Sequence, residues 1–356
     1  MSHDICEKQI WIARFGRCNC INNFENAAFA SKQTGLFTVN LQQLRSVREA
    51  VRQGFNLTVV AEVLHTSQPG VSRQIRELEE EIGIELFVRV GKRLTGLTPP
   101  GEMVLPMIER LLQEAHNIRC AGQEFAAQGK GTLTIAATHS QARYALPAAV
   151  RDFSERYPEV ALRLKQGSPQ QVAELLIEGE ADIGVATEAL ASYPELVALP
   201  CYSWTHAVIV PPGHALALEA AQGTPLTLER LAAFPIVTYE PGYTGRSHID
   251  EAFERRGLKF DVVLSAMDAD VIKTYVELGM GVGIIAAIAC DEERDQRLTV
   301  LDARHLFATN MTRLAVRRGS FLRGFVFDFI HCFAPPLTRT QVEQAMAAAP
   351  GDDVQL

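Results

Sequence analysis

Two sets of polar residues stand where side chains could meet a partner. The first is Ser67-Gln68-Pro69-Gly70-Val71-Ser72-Arg73-Gln74-Ile75-Arg76. Val71, Ile75 and Leu78 recur at helical spacing and bury one face, which leaves Gln68, Ser72, Arg73, Gln74 and Arg76 to point elsewhere. Ser67 can cap this helix, with Pro69 tolerated in its first turn. Amide, hydroxyl and guanidinium groups at the start of a helix suit base edges in a major groove. Arg89, Lys92 and Arg93 surround Gly91 in a predicted strand-turn-strand, whose basic tip suits a phosphate backbone. The second set is hydroxyl-rich. Thr138, Ser140 and Gln141 follow one apolar stretch and open a helix, Thr187 follows another, and Thr244 with Gly245 follows a third. Hydroxyls and free N–H groups at helix starts can hold an anion without a permanent countercharge. Taken singly, each of these residues also has a plain reading, as a helix cap or one face of a helical hairpin.

The elements that position these residues follow from periodicity. Residues 41 to 54 read as a helix with Leu41, Leu44, Val47 and Val51 on one face and Gly54 at its end. Val59, Val60, Val63 and Leu64 mark a short second helix, so residues 39 to 98 form a winged helix-turn-helix. Residues 99 to 128 form a linker helix in which Val104, Ile108, Leu111, Ala115, Ile118, Gly122 and Phe125 alternate spacings of four and three. That heptad seam predicts dimerisation. From Gly129 strands and helices alternate, which implies parallel sheets. Strands are predicted at 132–137, 160–164 and 181–186, then at 205–211, 235–239, 261–266 and 281–286. Leu314 to Arg317 reads as a return crossing, and Phe321 to Phe333 as an apolar helix. A two-lobed domain of binding-protein type is thus expected over 129–336, its lobes 129–200 with 312–336 and 201–311, with 337–356 a tail. Gly279, Gly281 and Gly283 follow a helix and precede a strand, the reverse of a dinucleotide loop, and read as close packing.

Composition limits the function. The chain has 356 residues and a formal net charge of −8, so a DNA-contacting face has to be locally basic. Glu77, Glu79, Glu80, Glu81 and Glu85 are then expected to point away from it. No apolar run is long enough to span a bilayer. No secretory signal pattern opens the chain, since Asp4, Cys6 and Glu7 interrupt it, so the cytoplasm is expected. Seven scattered cysteines argue for reduced thiols, and Cys18-Asn19-Cys20 is too tight for a zinc pair. His139 has no paired nucleophile or acid in its sequence context, and none of the nine histidines has a second ligand at metal spacing. No catalytic residue, metal or cofactor is therefore expected.

Residues 39 to 101 resemble the winged helix-turn-helix of LysR-type transcriptional regulators, through the Ser-Gln-Pro-x-Val-Ser-Arg-Gln-Ile core and the Leu-Thr-Pro-x-Gly exit. The stretches Thr138 to Pro147, Gln166 to Pro169, Ala186 to Leu190 and Asp268 to Tyr275 are similar to the sulfur-assimilation members of that family. The resemblance implies an α/β protein with an N-terminal winged helix-turn-helix, a linker helix and a two-lobed, periplasmic-binding-protein-like effector domain. It implies that Thr138, Ser140, Gln141, Thr187 and Thr244 hold a sulfate-like anion, with Ser140 standing where the family has threonine. It links Trp204, near the crossover, to effector response. The implied partners are promoter DNA, RNA polymerase and an effector of the acetylserine, sulfate or thiosulfate class, with the chain a homodimer pairing into a homotetramer. The implied function is control of cysteine-biosynthesis and sulfur-assimilation genes. The alternatives are a regulator of sulfonate or other oxyanion metabolism, or an enzyme or receptor of binding-protein fold. The family begins at the equivalent of Val39, so residues 1 to 38 are expected to be a mis-called start or a disordered extension.

Overall fold

The computed structural model describes residues 39–126, 129–243 and 245–349. The extension 1–38 and Thr244 lie outside the described residues. The chain forms two compact units, one ending at Leu112 and the other beginning at Gln113.

The first unit is built on α1 (Leu41–Arg52), α2 (Leu57–Val63) and α3 (Gln68–Ile82). Asn40 caps α1 by accepting from the Gln42 and Gln43 N–H groups, and the Gln43 side chain accepts from Asn40 N–H in return. Ser67 caps α3 by accepting from Gly70 N–H at 3.2 Å, and Gly83, at φ +75°, ends it. Leu44, Val47, Val60, Val71, Ile75, Leu78, Leu86 and Phe87 share one core. Of the apolar residues read on the first two helices, Leu41 and Val63 stay exposed. The wing is the hairpin β1 (Phe87–Val90) and β2 (Arg93–Leu97), turning through Gly91 at φ +63°.

Helix α4 (Pro99–Ala126) departs in part from the expected seam. Ile108 and Leu112 are buried in the winged-helix core and Val104 packs against it. The exposed apolar stripe runs instead through Met103, Met107, Leu111, Ile118 and Phe125. Leu111, Ile118 and Phe125 keep their expected exposure, whereas Ile108 turns inward because the folded core of α1 to α3 supplies the partner that local sequence did not show. From Gln113 onward the helix is tied to the second unit. Asn117 donates to Gly319 C=O at 2.8 Å and accepts from Phe321 N–H at 2.9 Å.

The second unit holds two five-stranded sheets. Lobe I contains β3 (Gly131–Ala137), β4 (Val160–Gln166), β5 (Ile183–Ala186), β6 (Leu196–Trp204) and β12 (Asn310–Arg317), in the order β4-β3-β5-β12-β6. Its helices are α5 (Leu146–Arg156), α6 (Pro169–Ile177), α11 (Gly324–Phe333) and α12 (Arg339–Ala347). Lobe II contains β7 (His206–Val210), β8 (Ile236–Tyr239), β9 (Val262–Ala266), β10 (Val282–Ala286) and β11 (Thr299–Asp302), in the order β11-β7-β10-β8-β9. Its helices are α7 (Ala215–Ala221), α8 (Leu228–Ala232), α9 (Arg246–Arg255) and α10 (Ala269–Glu277). Strands β5, β7, β8 and β10 are buried throughout, as parallel and mixed sheets covered on both faces require.

Three boundaries differ from the sequence reading. Strand β6 belongs to lobe I as far as Trp204, so the crossover lies at Thr205 rather than at 201. The return strand begins at Asn310. The expected tail is structural, since α12 buries Val342 and Ala345 in the lobe I core. Of the glycines after α10, two serve close packing, since a Cβ would lie 2.4 Å from the Pro235 carbonyl oxygen at Gly281 and 2.4 Å from Ile209 Cγ1 at Gly283, whereas Gly279 has open space around it and turns the chain at φ +79°.

Candidate functional site

The winged-helix unit offers a polar, exposed face. Gln68, Arg73, Arg76, Lys92 and Arg93 are exposed and Ser72 is half-buried. Gln68, Ser72, Arg76 and Lys92 line a groove of about 760 Å³ between α3 and the wing, and Glu80 and Glu85, expected to point away from this face, line it too. Arg73 is paired with Glu77 one turn on, at 2.6 Å, and Arg76 donates to its own helix at Ser72 C=O. Both partners are surface groups that a phosphate or base edge can replace.

Two of the expected contact residues are used elsewhere. Gln74 accepts from Ser46 Oγ of α1, which joins helices rather than facing outward. Arg89 is ion-paired with Glu79. Glu79, expected to point away from the DNA-contacting face, is buried, accepting from the Leu86 and Phe87 N–H groups at 2.9 and 3.2 Å. One carboxylate thus fastens the wing to the recognition helix, and Arg89 balances its charge. The pairing spans ten residues and depends on the hairpin's direction, so local spacing gave no sign of it. Ser67 acts as the helix cap.

The second unit brings Thr138, Ser140, Gln141 and Thr187 to the carboxyl ends of the lobe I strands, while the expected Thr244 lies outside the described residues. Thr138 ends β3 and donates its N–H to Val185 C=O of the neighbouring parallel strand at 3.2 Å, which sets it beside Thr187 at the end of β5. Thr138, Ser140 and Gln141 are each 1% exposed, and Thr187 is 5% exposed. The predicted helix from 142 is opened by a π-turn, Gln141–Ala145, before α5 begins. Neither Ser140 nor Thr187 uses its hydroxyl as a cap. Thr138 Oγ1 and Ser140 Oγ make no close hydrogen bond among the described residues, Ser140 having only the Tyr239 hydroxyl of lobe II nearby. A buried hydroxyl left this way carries a desolvation cost until a ligand or water answers it. The plain capping reading therefore does not account for these groups.

Gln141 has a different task. Its Oε1 accepts from Tyr202 Oη at 2.5 Å and its Nε2 donates to Thr312 Oγ1 at 3.0 Å. The amide is held by the two crossing strands and braces the hydroxyls rather than standing free. Tyr202 and Thr312 were absent from the sequence-based set; they lie 61 and 171 residues from Gln141. Trp204 is buried and packs at a steep angle against His206, ring centroids 5.3 Å apart.

Lobe II closes on this region. Tyr239, fully buried at the end of β8, accepts from Ala286 N–H and stands beside Ser140. Burial holds its phenol well above the usual range, so it stays protonated as a donor. Arg246, at the start of α9, donates to Tyr239 C=O and pairs with Asp250, so its charge is already met. A clasp crosses between the lobes at Asp270 of α10. Arg143 Nε lies 2.6 Å and Tyr144 Oη 2.7 Å from its two carboxylate oxygens. The Tyr144 ring packs into a lobe II core cluster, with Lys273 Nζ 5.3 Å from its centroid. On another edge, Glu188 of lobe I accepts from Met311 N–H and meets His248 of lobe II at 3.5 Å. The fold gathers His139, Asp268 and Asp270, with ligand atoms within 4.8 Å of one another, a grouping that spacing did not show. Arg143 and Tyr144 already hold Asp270, and Asp268 caps α10, so these carboxylates are committed to the protein itself.

Comparison with known proteins agrees with this two-part fold. Residues 41–102 match the model for bacterial regulatory helix-turn-helix proteins of the lysR family, and residues 126–335 match the LysR substrate binding domain. The chain is 55% identical to the HTH-type transcriptional regulator SsuR of Burkholderia cenocepacia over 304 residues, 85% of this chain and 97% of the relative. It is 52% identical to the HTH-type transcriptional regulator CysB of the same organism over 308 residues, 86% of this chain and 97% of the relative. The crystal structure of the cofactor-binding domain of the Cbl transcriptional regulator superposes with a TM-score of 0.59 at 47% identity, covering 62% of this chain and 96% of that one. With a winged helix-turn-helix at one end and a two-lobed effector domain at the other, the chain belongs to the LysR family of bacterial transcriptional regulators.

Proposed function

We propose that this regulator controls sulfur-assimilation and cysteine-biosynthesis genes, and that a small effector of the acetylserine or sulfate class binds between its lobes. The observation that carries the pocket is the pair of buried hydroxyls, Thr138 and Ser140, left without a close hydrogen bond among the described residues, beside Thr187. Hydroxyl and N–H donors suit an oxyanion that must also leave, since they bind it without a fixed countercharge. Resemblance to the sulfur-assimilation members of the family supports the choice of effector and target genes. Thr244 belongs to the same proposed pocket through that resemblance.

On this reading Gln68, Ser72, Arg73 and Arg76 read or position promoter DNA, with Lys92 and Arg93 on the phosphate backbone. The exposed stripe of α4 joins two chains and the effector domains pair the dimers into a tetramer, which meets RNA polymerase at the promoter in the cytoplasm. Among the described residues no helix is long and apolar enough to cross a membrane. A second reading, a regulator answering to sulfonate or other oxyanion metabolism, rests on the same pocket. Calorimetric titration with sulfate, thiosulfate and acetylserines, followed by a promoter response assay, tests the proposal. Saturable binding of one of them that changes promoter output supports it; no binding by any of them contradicts it.

A further inference from the structure

Helix α4 runs unbroken from the first unit into the second, and lobe I grips its second half through side chains. A helix interior spends its own N–H and C=O groups, so only side chains can hold it to a neighbour. Asn117 does this as a strand would. Its Oδ1 accepts from Phe321 N–H at 2.9 Å and its Nδ2 donates to Gly319 C=O at 2.8 Å. Gln113, one turn earlier, donates to Asn117 Oδ1 at 3.0 Å and to Ser320 Oγ at 3.3 Å. Two turns after Asn117, Glu124 Oε1 accepts from Gly324 N–H at 3.1 Å, where α11 begins. Residues 113, 117, 120 and 124 share one helix face, and Cys120 lies buried between the polar anchors. The exposed Ile118 and Phe125 stand about 100° around the helix from Asn117 and Glu124, so the grip leaves that stripe open. The gripped loop, residues 319 to 323, is itself rooted in lobe I. Arg323 is 8% exposed, donates to Thr132 C=O on β3 and lies over the Phe325 ring, 4.2 Å from its centroid. Gly131 at the start of β3 admits it closely, since a Cβ there would lie 2.5 Å from Arg323 Nη1. Strand β3 thus meets the helix anchor at its first residues and leads into Thr138 at its end.

We infer that Asn117, with Glu124 as a second anchor, is the positioning residue that couples effector occupancy to the DNA-binding unit, by keying α4 to lobe I so that the two turn as one body. Anchors seven residues apart fix both the height and the rotation of the helix against the loop, where a single anchor would leave a pivot. The first half of α4 is fixed in its own unit, since Ile108 and Leu112 are buried in the winged-helix core. A turn of lobe I is therefore passed along one helix instead of being lost in a joint. The partners of Asn117 and Glu124 lie on α4 and in the loop up to Gly324, apart from the cradle and from the recognition face. The inference rests on the reading that the effector binds in the second unit.

The double variant N117L/E124A of the full chain removes both anchors and keeps good helix formers in their place. Three quantities are compared with the wild type: calorimetric affinity for sodium sulfate and N-acetylserine, operator affinity without ligand, and the change in promoter output when each ligand is added to transcription in vitro. The two affinities should stay within about twofold, while the promoter response falls about fivefold or more. E124Q keeps the acceptor for Gly324 N–H and should respond as the wild type does. An unchanged response in N117L/E124A would overturn the coupling. So would a lost response matched by an equal loss of ligand or operator affinity, the mark of a merely structural role. A wild-type chain whose output follows neither ligand would instead be a failure of the effector reading, and hydrogen exchange in the ligand-free chain then decides the grip alone. Phe321 and Gly324 amides that exchange about tenfold faster in N117L/E124A support it, and equal rates overturn it.

Discussion

The proposed recognition face and the proposed effector cradle use polar side chains in opposite ways. At the recognition face Arg73, Arg76, Lys92 and Arg93 are exposed, and a charge there acts through water whether or not its geometry is fixed. At the cradle Thr138, Ser140 and Gln141 are almost wholly buried, and their value depends on what the fold sets around them. The first site can be read as a list of residue types. The second exists only once strands β3, β5 and β12 are side by side. Surface substitutions should therefore grade DNA affinity smoothly, whereas cradle substitutions should act as switches.

Glu79 is the sharpest exception on the DNA-binding side, because it is buried within a polar face. Glu79→Ala leaves the Leu86 and Phe87 N–H groups and Arg89 without their acceptor. It should destabilise the winged-helix unit by about 3 kcal/mol, read by urea denaturation of the full chain. Arg73→Ala should leave that transition unmoved while costing roughly ten- to hundredfold in operator affinity. Equal stability in the two variants would break the distinction between exposed and buried charge.

Ile118 and Ile108 give the same contrast between apolar residues. Ile118 is 74% exposed and Ile108 4% exposed. Ile118→Asp should yield folded monomers by light scattering, because a charge in the joined seam is costly. Ile108→Asp should lower the melting temperature instead. A folded Ile118→Asp chain of wild-type mass would contradict the seam.

Asp270 is the next largest effect. Asp270→Asn removes the charge that Arg143 and Tyr144 share across the lobes. Effector dissociation should accelerate about tenfold for every ligand alike, since the clasp holds closure and touches no effector group. Stopped-flow displacement measures it, and unchanged rates would show that the lobes stay closed without the clasp. Lys92→Ala should have the mildest effect. It should weaken all DNA sequences similarly and reduce the slope of log affinity against log salt by about 0.9. A change confined to one operator sequence would make Lys92 a base reader.

Much of the fold was legible because it is written in local periods. The apolar faces of α1 and α3, the Gly91 turn and the alternation of strands and helices after Gly129 all came from spacing. What stayed hidden depends on distant partners. Arg89 looked like a free cation until Glu79 was seen at the base of the wing, and Gln74 looked outward until α1 placed Ser46 against it. Ile108 fitted a heptad as well as a core. In the cradle the hydroxyls themselves were legible as helix starts, but Tyr202 and Thr312 were not. They reach it only because the return strand pairs with β6, more than a hundred residues earlier in the chain. Helix α12 was overlooked because a short amphipathic segment after the last lobe looks like a tail until Val342 and Ala345 find the lobe I core.

The central claim is that the buried hydroxyls at the end of β3 hold the effector and the exposed helix face holds the DNA, each separately. Thr138→Val tests it most directly, since it keeps the shape of the side chain and removes only the hydroxyl. Titrated with sulfate and N-acetylserine, the variant should bind about one to two orders of magnitude more weakly. In the same preparation its operator affinity without effector should match the wild type. Wild-type effector affinity in Thr138→Val would place the effector elsewhere, and a parallel loss of operator affinity would contradict the separation of the two sites.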